Sequence, residues 1–241
     1  MSGRREPQPL RDPRDLGEII NDSFSYHFRQ TWLFAAVVAP AVLVGIVIAL
    51  LGYLVTDNPD LQLLISFALL PVNVLAYQLV AAGVVAVLKA NEEGTIISAG
   101  DALDIAQDRA GDILKVALRL MFAAILAGTL VGTYWGVKWL IQWSVAIPAL
   151  IFDGSPASEA LNESSRLIKG RWWQTLGRLI AAGLVLGVPS FIVGTIIAAA
   201  IPAPIGTILS SLPNLIATPY PIVATVLIFF DRKARTAAPP V

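Results

Sequence analysis

Few side chains in this sequence could perform catalysis or bind a metal ion. His27 is the only histidine and cysteine is absent, which excludes histidine triads, thiolate metal sites and cysteine nucleophiles. Four aspartates recur between residues 101 and 112, but they lack the spacing and the central glycine of a calcium-binding loop. The sequence therefore predicts a protein that is not an enzyme, with no catalytic residue, metal site or cofactor.

Four amide side chains inside long apolar segments are the other candidates for chemistry. They are Asn73, Gln78, Gln142 and Asn214. Two interpretations are open, because such amides can form hydrogen bonds between membrane helices, each worth about 0.6 kcal/mol, or line a polar cavity. Pro71 and Pro213 interrupt two of these segments and free backbone polar groups, which favours a cavity. We favour the hydrogen bonds, since amides commonly join membrane helices in this way.

The composition explains why so few charged groups are available. The chain has 241 residues, of which 56% are hydrophobic and only 14% are charged, and its mean hydropathy is +0.71. A water-soluble domain of this size would need more charge to cover its surface, so the composition predicts a protein with several membrane spans. Acidic and basic residues both number 17, which gives no indication of nucleic-acid binding.

Six apolar segments are predicted to be transmembrane helices, since about 20 apolar residues cross the hydrocarbon layer. They cover residues 32–55, 61–88, 113–134, 135–152, 176–201 and 205–230. The expected fold is an all-α, polytopic membrane bundle of about six transmembrane helices. Residues 1–14 are predicted to be a disordered basic tail, residues 15–231 the membrane domain, and residues 232–241 a short cytoplasmic tail.

The basic residues predict how this bundle is oriented in the membrane. With the N-terminus in the cytoplasm, 16 of the 17 lysines and arginines fall on the cytoplasmic side and only Lys138 falls outside. Lysine and arginine are enriched in the cytoplasmic loops of membrane proteins. We therefore predict a multi-pass protein of a prokaryotic cytoplasmic (inner) membrane, with both termini in the cytoplasm.

Short amphipathic helices are predicted on the cytoplasmic side, one before each pair of spans. Each starts with a capping signal: Asp15 with Glu18, Ser98 with Asp101, and Ser155 before Pro156. Apolar or small residues then recur at i, i+3, i+4, i+7 and i+11, which places them on one helical face. These positions start at Leu16, Ala99 and Ala157. Gly170 is predicted to end the third helix in the left-handed conformation.

The three amphipathic segments share one register, which indicates an internal repeat. Sliding the first segment by 141 residues, or the middle one by 58, superimposes its five stripe positions on those of the third. The predicted unit is a surface helix followed by a helical hairpin, used three times. We favour surface helices that lie in the membrane interface, although their charged faces could instead dock a protein partner. The candidate docking residues are Glu18, Asp101, Glu159, Glu163, Lys169 and Arg171.

Three stretches are similar to one known membrane-protein family. They are LGEIINDSFSYHFRQTW from Leu16, PALIFDGSPASEALNESSRLIKGRWWQTLGRLI from Pro148, and the closing VLIFFDRKAR. They resemble the glycerophosphodiester phosphodiesterase membrane-domain family, most specifically over the pattern from Glu159 to Trp173. The resemblance implies a bundle of about six membrane helices, which in some members is fused to a TIM-barrel phosphodiesterase domain. With one histidine and no long soluble stretch, this chain has no place for that domain, so the resemblance does not imply its activity.

These observations predict a non-catalytic membrane module that binds or moves a lipid or small amphiphile. The broken spans, the amides and the family's association with glycerophospholipid metabolism support this prediction. The alternative is a structural or partner-docking membrane protein. An intramembrane enzyme is the third option, and it has the least support because no nucleophile–base pair can be assembled. The expected partners are membrane lipids or a protein on the cytoplasmic face, with no nucleic acid, and the oligomeric state stays open.

Overall fold

A computed structural model describes residues 9–55 and 58–237 of the chain. Within these residues the regular secondary structure is α-helical and no strand is present. The predicted fold class, an all-α helical bundle, is therefore confirmed. The helices follow the chain in three groups, and each group begins with an amphipathic helix.

The first group consists of four helices. They are α1 (Leu16–Arg29), α2 (Thr31–Val55), α3 (Pro59–Ala68) and α4 (Leu70–Glu92). The predicted capping box at the start of α1 is present, because the side chains of Asp15 and Glu18 each accept a hydrogen bond from the other's backbone N–H. The predicted second span is divided between α3 and α4, since Pro71 has no N–H with which to continue the helix.

The second group also consists of four helices. They are α5 (Ala99–Asp108), α6 (Ala110–Ala127), α7 (Thr133–Gln142) and α8 (Ala146–Phe152). The predicted capping box of Ser98 and Asp101 is present at the start of α5. The predicted fourth span is divided at residues 143–145, because Pro148 cannot donate a hydrogen bond to the carbonyl one turn earlier.

The third group completes the bundle. Its helices are α9 (Ala157–Ile168), α10 (Trp172–Ala200), α11 (Ile205–Ser211), α12 (Pro213–Ala217) and α13 (Pro219–Ala237). The predicted cap of α9 is wrong by one residue, since Pro156 rather than Ser155 is the N-cap. The Ala157 N–H in the first turn of α9 instead faces the carboxylate of Asp112. Gly170 has a φ of +77°, the left-handed conformation predicted for it.

Five helical stretches of the described residues are long and apolar enough to cross a membrane. They are Thr31–Gly52, Leu70–Glu92, Thr133–Phe152, Trp172–Ala200 and Ile205–Ala237. These helices indicate a membrane-embedded protein, and they overlap five of the six predicted spans. The remaining predicted span, residues 113–134, corresponds to the 18 residues of α6, whose first ten residues include Asp112, Lys115 and Arg119. The number of passes therefore stays a prediction.

Both predicted tail boundaries fall inside packed segments. Leu10 is 5% exposed and Arg14 is fully buried, so the predicted tail of residues 1–14 includes residues that lie against the bundle. At the other end, α13 continues past the predicted limit at residue 231 and ends at Ala237. The physical reason is the same for both segments, because their apolar and charged side chains form contacts with the bundle.

The core of the bundle lies where α4, α8 and α13 meet, and each of these helices contacts the other two. Their side chains are buried over residues 80–88, 146–151 and 226–230. Phe152, Phe229 and Phe230 close one end of this core, with ring centroids 4.8 to 6.4 Å apart. A helix that is apolar on all sides is typical of a protein core or of a membrane span.

The three amphipathic helices surround this core in a cyclic order. Helix α1 packs against α13 and α10, α5 packs against α4 and α2, and α9 packs against α8 and α6. Each amphipathic helix therefore contacts the hairpin of the preceding group, and α1 closes the ring by contacting the hairpin of the last group. This packing agrees with the predicted repeat of a surface helix and a helical hairpin.

Candidate functional site

The four amides predicted to line a cavity or join helices lie on three different helices. Asn73 and Gln78 are half-buried on α4. Gln142 is the half-buried last residue of α7, whereas Asn214 is exposed on α12. The backbone carbonyl of Gln142 accepts a hydrogen bond from the Ser164 hydroxyl at 2.6 Å, so this position lies next to α9. Both interpretations of these amides stay predictions, because their contacts favour neither.

Two of the candidate docking residues have a local structural role. The carboxylates of Glu18 and Asp101 accept hydrogen bonds from the backbone N–H groups of Asp15 and Ser98, which begin their own helices. A hydrogen bond from the Ser98 hydroxyl also lowers the pKa of Asp101. These two acids therefore stabilise helix starts, and the docking role assigned to them stays a prediction.

The other candidate docking residues lie on or beside α9. Lys169 is the C-cap residue of α9 and Arg171 is the N-cap residue of α10. Glu159 and Glu163 line a shallow depression of 330 Å³ on the outer face of α9. Glu163 pairs with Arg166 at 2.7 Å, and the hydrogen bond from Arg166 lowers the pKa of Glu163. The outer face of α9 is therefore polar and partly neutralised by its own ion pair.

A buried charge cluster, which the sequence did not predict, joins the segment before α1 and the helix α13 to α10. Its centre is Asp231 on α13, whose side chain is fully buried. The carboxylate of Asp231 accepts a hydrogen bond from Arg235 Nε at 2.6 Å and another from the Arg178 guanidinium. It also accepts a hydrogen bond from the backbone N–H of Arg14 at 2.9 Å. These three donors offset the cost of burying the carboxylate.

Arg14 is the second buried charge of this cluster. Its Nε donates to Asp22 at 2.9 Å, and its terminal nitrogens donate to the backbone carbonyls of residues 9, 10 and 12. The carbonyl of Arg14 accepts hydrogen bonds from Arg178 at 3.1 Å and from Arg235 at 3.0 Å. These bonds hold the segment before α1 against the ends of α10 and α13.

The sequence contained one weak signal of this cluster. Asp231 is followed four residues later by Arg235, a spacing that places both side chains on one helical face. That spacing indicates an ion pair on α13 but says nothing about Arg14 or Arg178. The arginine before α1 was missed because a basic, proline-containing segment is typical of a disordered tail.

A groove of 310 Å³ lies between α6 and α9. Its walls include the apolar side chains of Leu118 and Leu161, and its polar groups include Lys115, Arg119 and Ser158. Lys115 and Arg119 are one turn apart on the exposed face of α6, and Leu118 between them is 48% exposed. We call this surface the α6–α9 groove, and it combines two cations with an apolar wall.

Asp112 on α6 lines the α6–α9 groove together with Ala157 of α9. Its carboxylate accepts a hydrogen bond from Lys115 Nζ at 3.1 Å and faces the Ala157 N–H in the first turn of α9. The Arg109 guanidinium lies 3.7 Å from the same carboxylate. Arg119, in contrast, forms no ion pair within the part of the chain that the structure describes. Its charge is therefore available to a ligand in the groove.

His27 packs among aromatic rings in the contact between α1 and α13. The ring centroids of Phe28, Phe34 and Tyr220 lie 5.0, 6.2 and 6.0 Å from that of His27. Its side chain is fully buried, and neither ring nitrogen has a hydrogen-bond partner. Burial lowers the pKa of His27 from 6.5 to about 4, so its imidazole is neutral at pH 7.

Acidification from pH 7 to pH 5 should destabilise the protein through His27. The unfolded chain binds a proton at His27 near pH 6.5, whereas the folded chain binds one only near pH 4. The free energy of unfolding should therefore fall by about 1.4 kcal/mol for each pH unit between these values. Thermal unfolding in detergent at pH 7, 6 and 5 measures this, and the His27→Leu variant should show a flatter pH dependence. Parallel curves for both proteins would assign the effect to other groups.

The fold and these surfaces define a membrane-embedded, all-α protein with a packed core and charged residues gathered around its amphipathic helices. No protein-family model, curated protein or solved structure matches this chain. The resemblance to the glycerophosphodiester phosphodiesterase membrane-domain family therefore stays a prediction. The absence of enzymatic activity is likewise a prediction from the sequence.

Proposed function

We propose that this protein is a non-catalytic membrane module that binds an anionic amphiphile in the α6–α9 groove. The observation that carries the proposal is the position of Arg119. It is exposed on α6 without an ion-pair partner, beside Leu118 and Phe122, which are 48% and 56% exposed. A cation on an apolar, outward-facing surface is costly in a membrane unless it reaches water or an anion. The phosphate of a lipid headgroup provides that anion.

The other residues of the groove support a ligand with one polar and one apolar end. Lys115 and Arg119 can reach a phosphate from within a helix, because their aliphatic chains lie along apolar surface while their charges extend toward the headgroups. The Ser158 hydroxyl adds a hydrogen-bond donor on the opposite side. Leu118 and Leu161 offer apolar contact for the glycerol and the first methylene groups.

The membrane topology that suits this ligand has six spans, with α6 as one of them. The 18 residues of α6 extend about 27 Å, close to the thickness of the hydrocarbon layer. Lys115 would then lie toward the cytoplasmic headgroups of an inner membrane and Arg119 one turn deeper, about halfway along α6, with both chain termini on the same side. We propose this location together with the function, since 16 of the 17 lysines and arginines fall on the cytoplasmic side of a six-span topology.

The partner-docking alternative has less support. An amphipathic helix that docks a partner needs an uncovered apolar face, and the apolar stripe of α9 is already covered by the bundle. What remains outside is the polar face with Glu159, Asn162 and Glu163. We therefore retain a protein partner on this face as the second candidate.

Lipid retention tests the proposed function. The double variant Lys115→Gln/Arg119→Gln should retain bound anionic lipid about ten-fold more weakly than the wild type, because it loses two charge-assisted contacts. Native mass spectrometry of protein released gently from its membrane measures the retained lipid. The matched control is Lys138→Gln, which removes a cation from α7 outside the groove. Equal retention by the double variant and the wild type would rule out the α6–α9 groove as the lipid site.

A further inference from the structure

The first turn of α10 is the uncapped, electropositive end of a 29-residue helix. Its N-cap residue, Arg171, makes no side-chain capping hydrogen bond, and the turn contains no acidic residue. The first backbone N–H groups of a helix have no intrahelical acceptor, and the helix dipole adds partial positive charge at the same place. Such a helix start attracts an anion when a second positive group faces it.

Arg232 on α13 is that second group. Its two terminal nitrogens contact the first turns of α10, one at 3.2 Å from Thr175 Oγ1 and the other at 3.4 Å from Gln174 Oε1. The residue is only 1% exposed, and its Nε has no hydrogen-bond partner. A buried guanidinium that contacts only neutral oxygens has lost its hydration without gaining a counter-charge.

The surrounding charges increase the free-energy cost of burying the Arg232 guanidinium. Arg171, Arg178 and Arg235 act on Arg232 as like charges, and Asp231 is the carboxylate that opposes them. Asp231 already accepts hydrogen bonds from Arg178, from Arg235 and from a backbone N–H. The described residues around Arg232 therefore hold an excess of positive charge around a buried donor that has no partner.

We propose that the first turn of α10 and Arg232 form a binding site for a phosphate group. Arg232 Nε and the free N–H groups of the first turn would donate to its oxygens, and Arg171 would add a charge-assisted contact. The exposed side chain of Gln174 contacts Arg232 by one hydrogen bond of 3.4 Å, and the proposal requires this side chain to rotate away when phosphate binds. The phosphate belongs either to a lipid headgroup or to a free phosphate-containing ligand. The site shares no residue with the α6–α9 groove and does not depend on the proposed function.

Titration with inorganic phosphate at constant ionic strength tests the site in the full-length protein in detergent. Trp172 and Trp173 lie in the first turn of α10, so their fluorescence reports binding there. The wild type should give a saturable change. The Arg232→Met variant should bind phosphate about ten-fold more weakly or worse, because it loses a charged donor. The variant should also melt at a higher temperature than the wild type without phosphate, since it removes an unpaired buried charge.

Two further variants keep the test decisive. Arg166→Met removes a cation that α9 pairs with Glu163, and it should keep wild-type affinity for phosphate. Gln174→Glu changes an exposed residue and should preserve the fold, while its carboxylate competes with phosphate for Arg232 and weakens binding to a similar extent. Wild-type affinity in both the Arg232→Met and the Gln174→Glu variants would overturn the proposal.

Nanodiscs distinguish the two sources of the phosphate. Phosphatidylcholine nanodiscs with and without phosphatidic acid replace the detergent, and the same fluorescence is measured. A response to phosphatidic acid that Arg232→Met abolishes, without a response to inorganic phosphate, assigns the site to a lipid headgroup. A saturable response to inorganic phosphate assigns it to a free ligand. No response of the wild type to either probe would overturn the proposal, while lipid retention in the α6–α9 groove would be unaffected.

Discussion

Replacement of Asp231 by alanine should destabilise the protein by about 3–5 kcal/mol, the cost of removing one partner from a buried ion pair. The change leaves Arg178, Arg235 and the backbone N–H of Arg14 without their shared acceptor. Arg232 would also lose the carboxylate that opposes its neighbouring cations. Chemical or thermal unfolding in detergent measures the loss, and the segment before α1 should become sensitive to proteolysis.

An exposed ion pair provides the matched control for Asp231. Glu163 pairs with Arg166 on the outer face of α9, where the arginine side chain is 63% exposed. The Glu163→Ala variant should change the free energy of unfolding by less than about 1 kcal/mol, since surface ion pairs contribute little. Similar losses in the Glu163→Ala and Asp231→Ala variants would show that the buried cluster does not hold the segment before α1 and the helix α13 against the bundle.

Replacement of Gly136 by alanine should destabilise the hairpin of α6 and α7 by about 3 kcal/mol, the upper part of the usual cost of overpacking. A Cβ atom at Gly136 would lie 2.2 Å from the Ala127 backbone nitrogen and 2.5 Å from the Ala123 carbonyl oxygen. Both atoms belong to the backbone of α6, so no side-chain rotation relieves the clash. Because α6 also forms one wall of the α6–α9 groove, lipid retention should fall together with the melting temperature.

The control for Gly136 is a helical glycine with free space around it. A Cβ atom added at Gly183 on α10 meets no atom within 4 Å. The Gly183→Ala variant should be neutral or stabilising by up to about 1 kcal/mol, because alanine has the higher helix propensity. If the Gly136→Ala variant behaved in the same way, α6 and α7 would not approach each other as closely as the structure shows.

Local chemistry made much of the fold predictable. The capping boxes that begin α1 and α5 involve residues three positions apart, so their spacing in the sequence is sufficient to locate them. The prolines that divide the second, fourth and sixth predicted spans act on the turn next to them. The five positions predicted for the apolar stripe of α9 are all buried, because a helical face is defined by the 3.6-residue period alone.

The sequence by itself determined that this is a helical membrane protein with amphipathic helices between its apolar segments, because hydropathy and helical periodicity are local properties of the sequence. Only the tertiary structure decided which charged side chains lie together. Arg14 and Asp231 are 217 residues apart, and Arg232 contacts Thr175 across 57. A charged residue at a helix end looks the same in the sequence whether water or another helix surrounds it. The free-energy cost of the charge, and the function of the residue, depend on whether it is exposed or buried. Burial removes the hydration that would otherwise stabilise the charge.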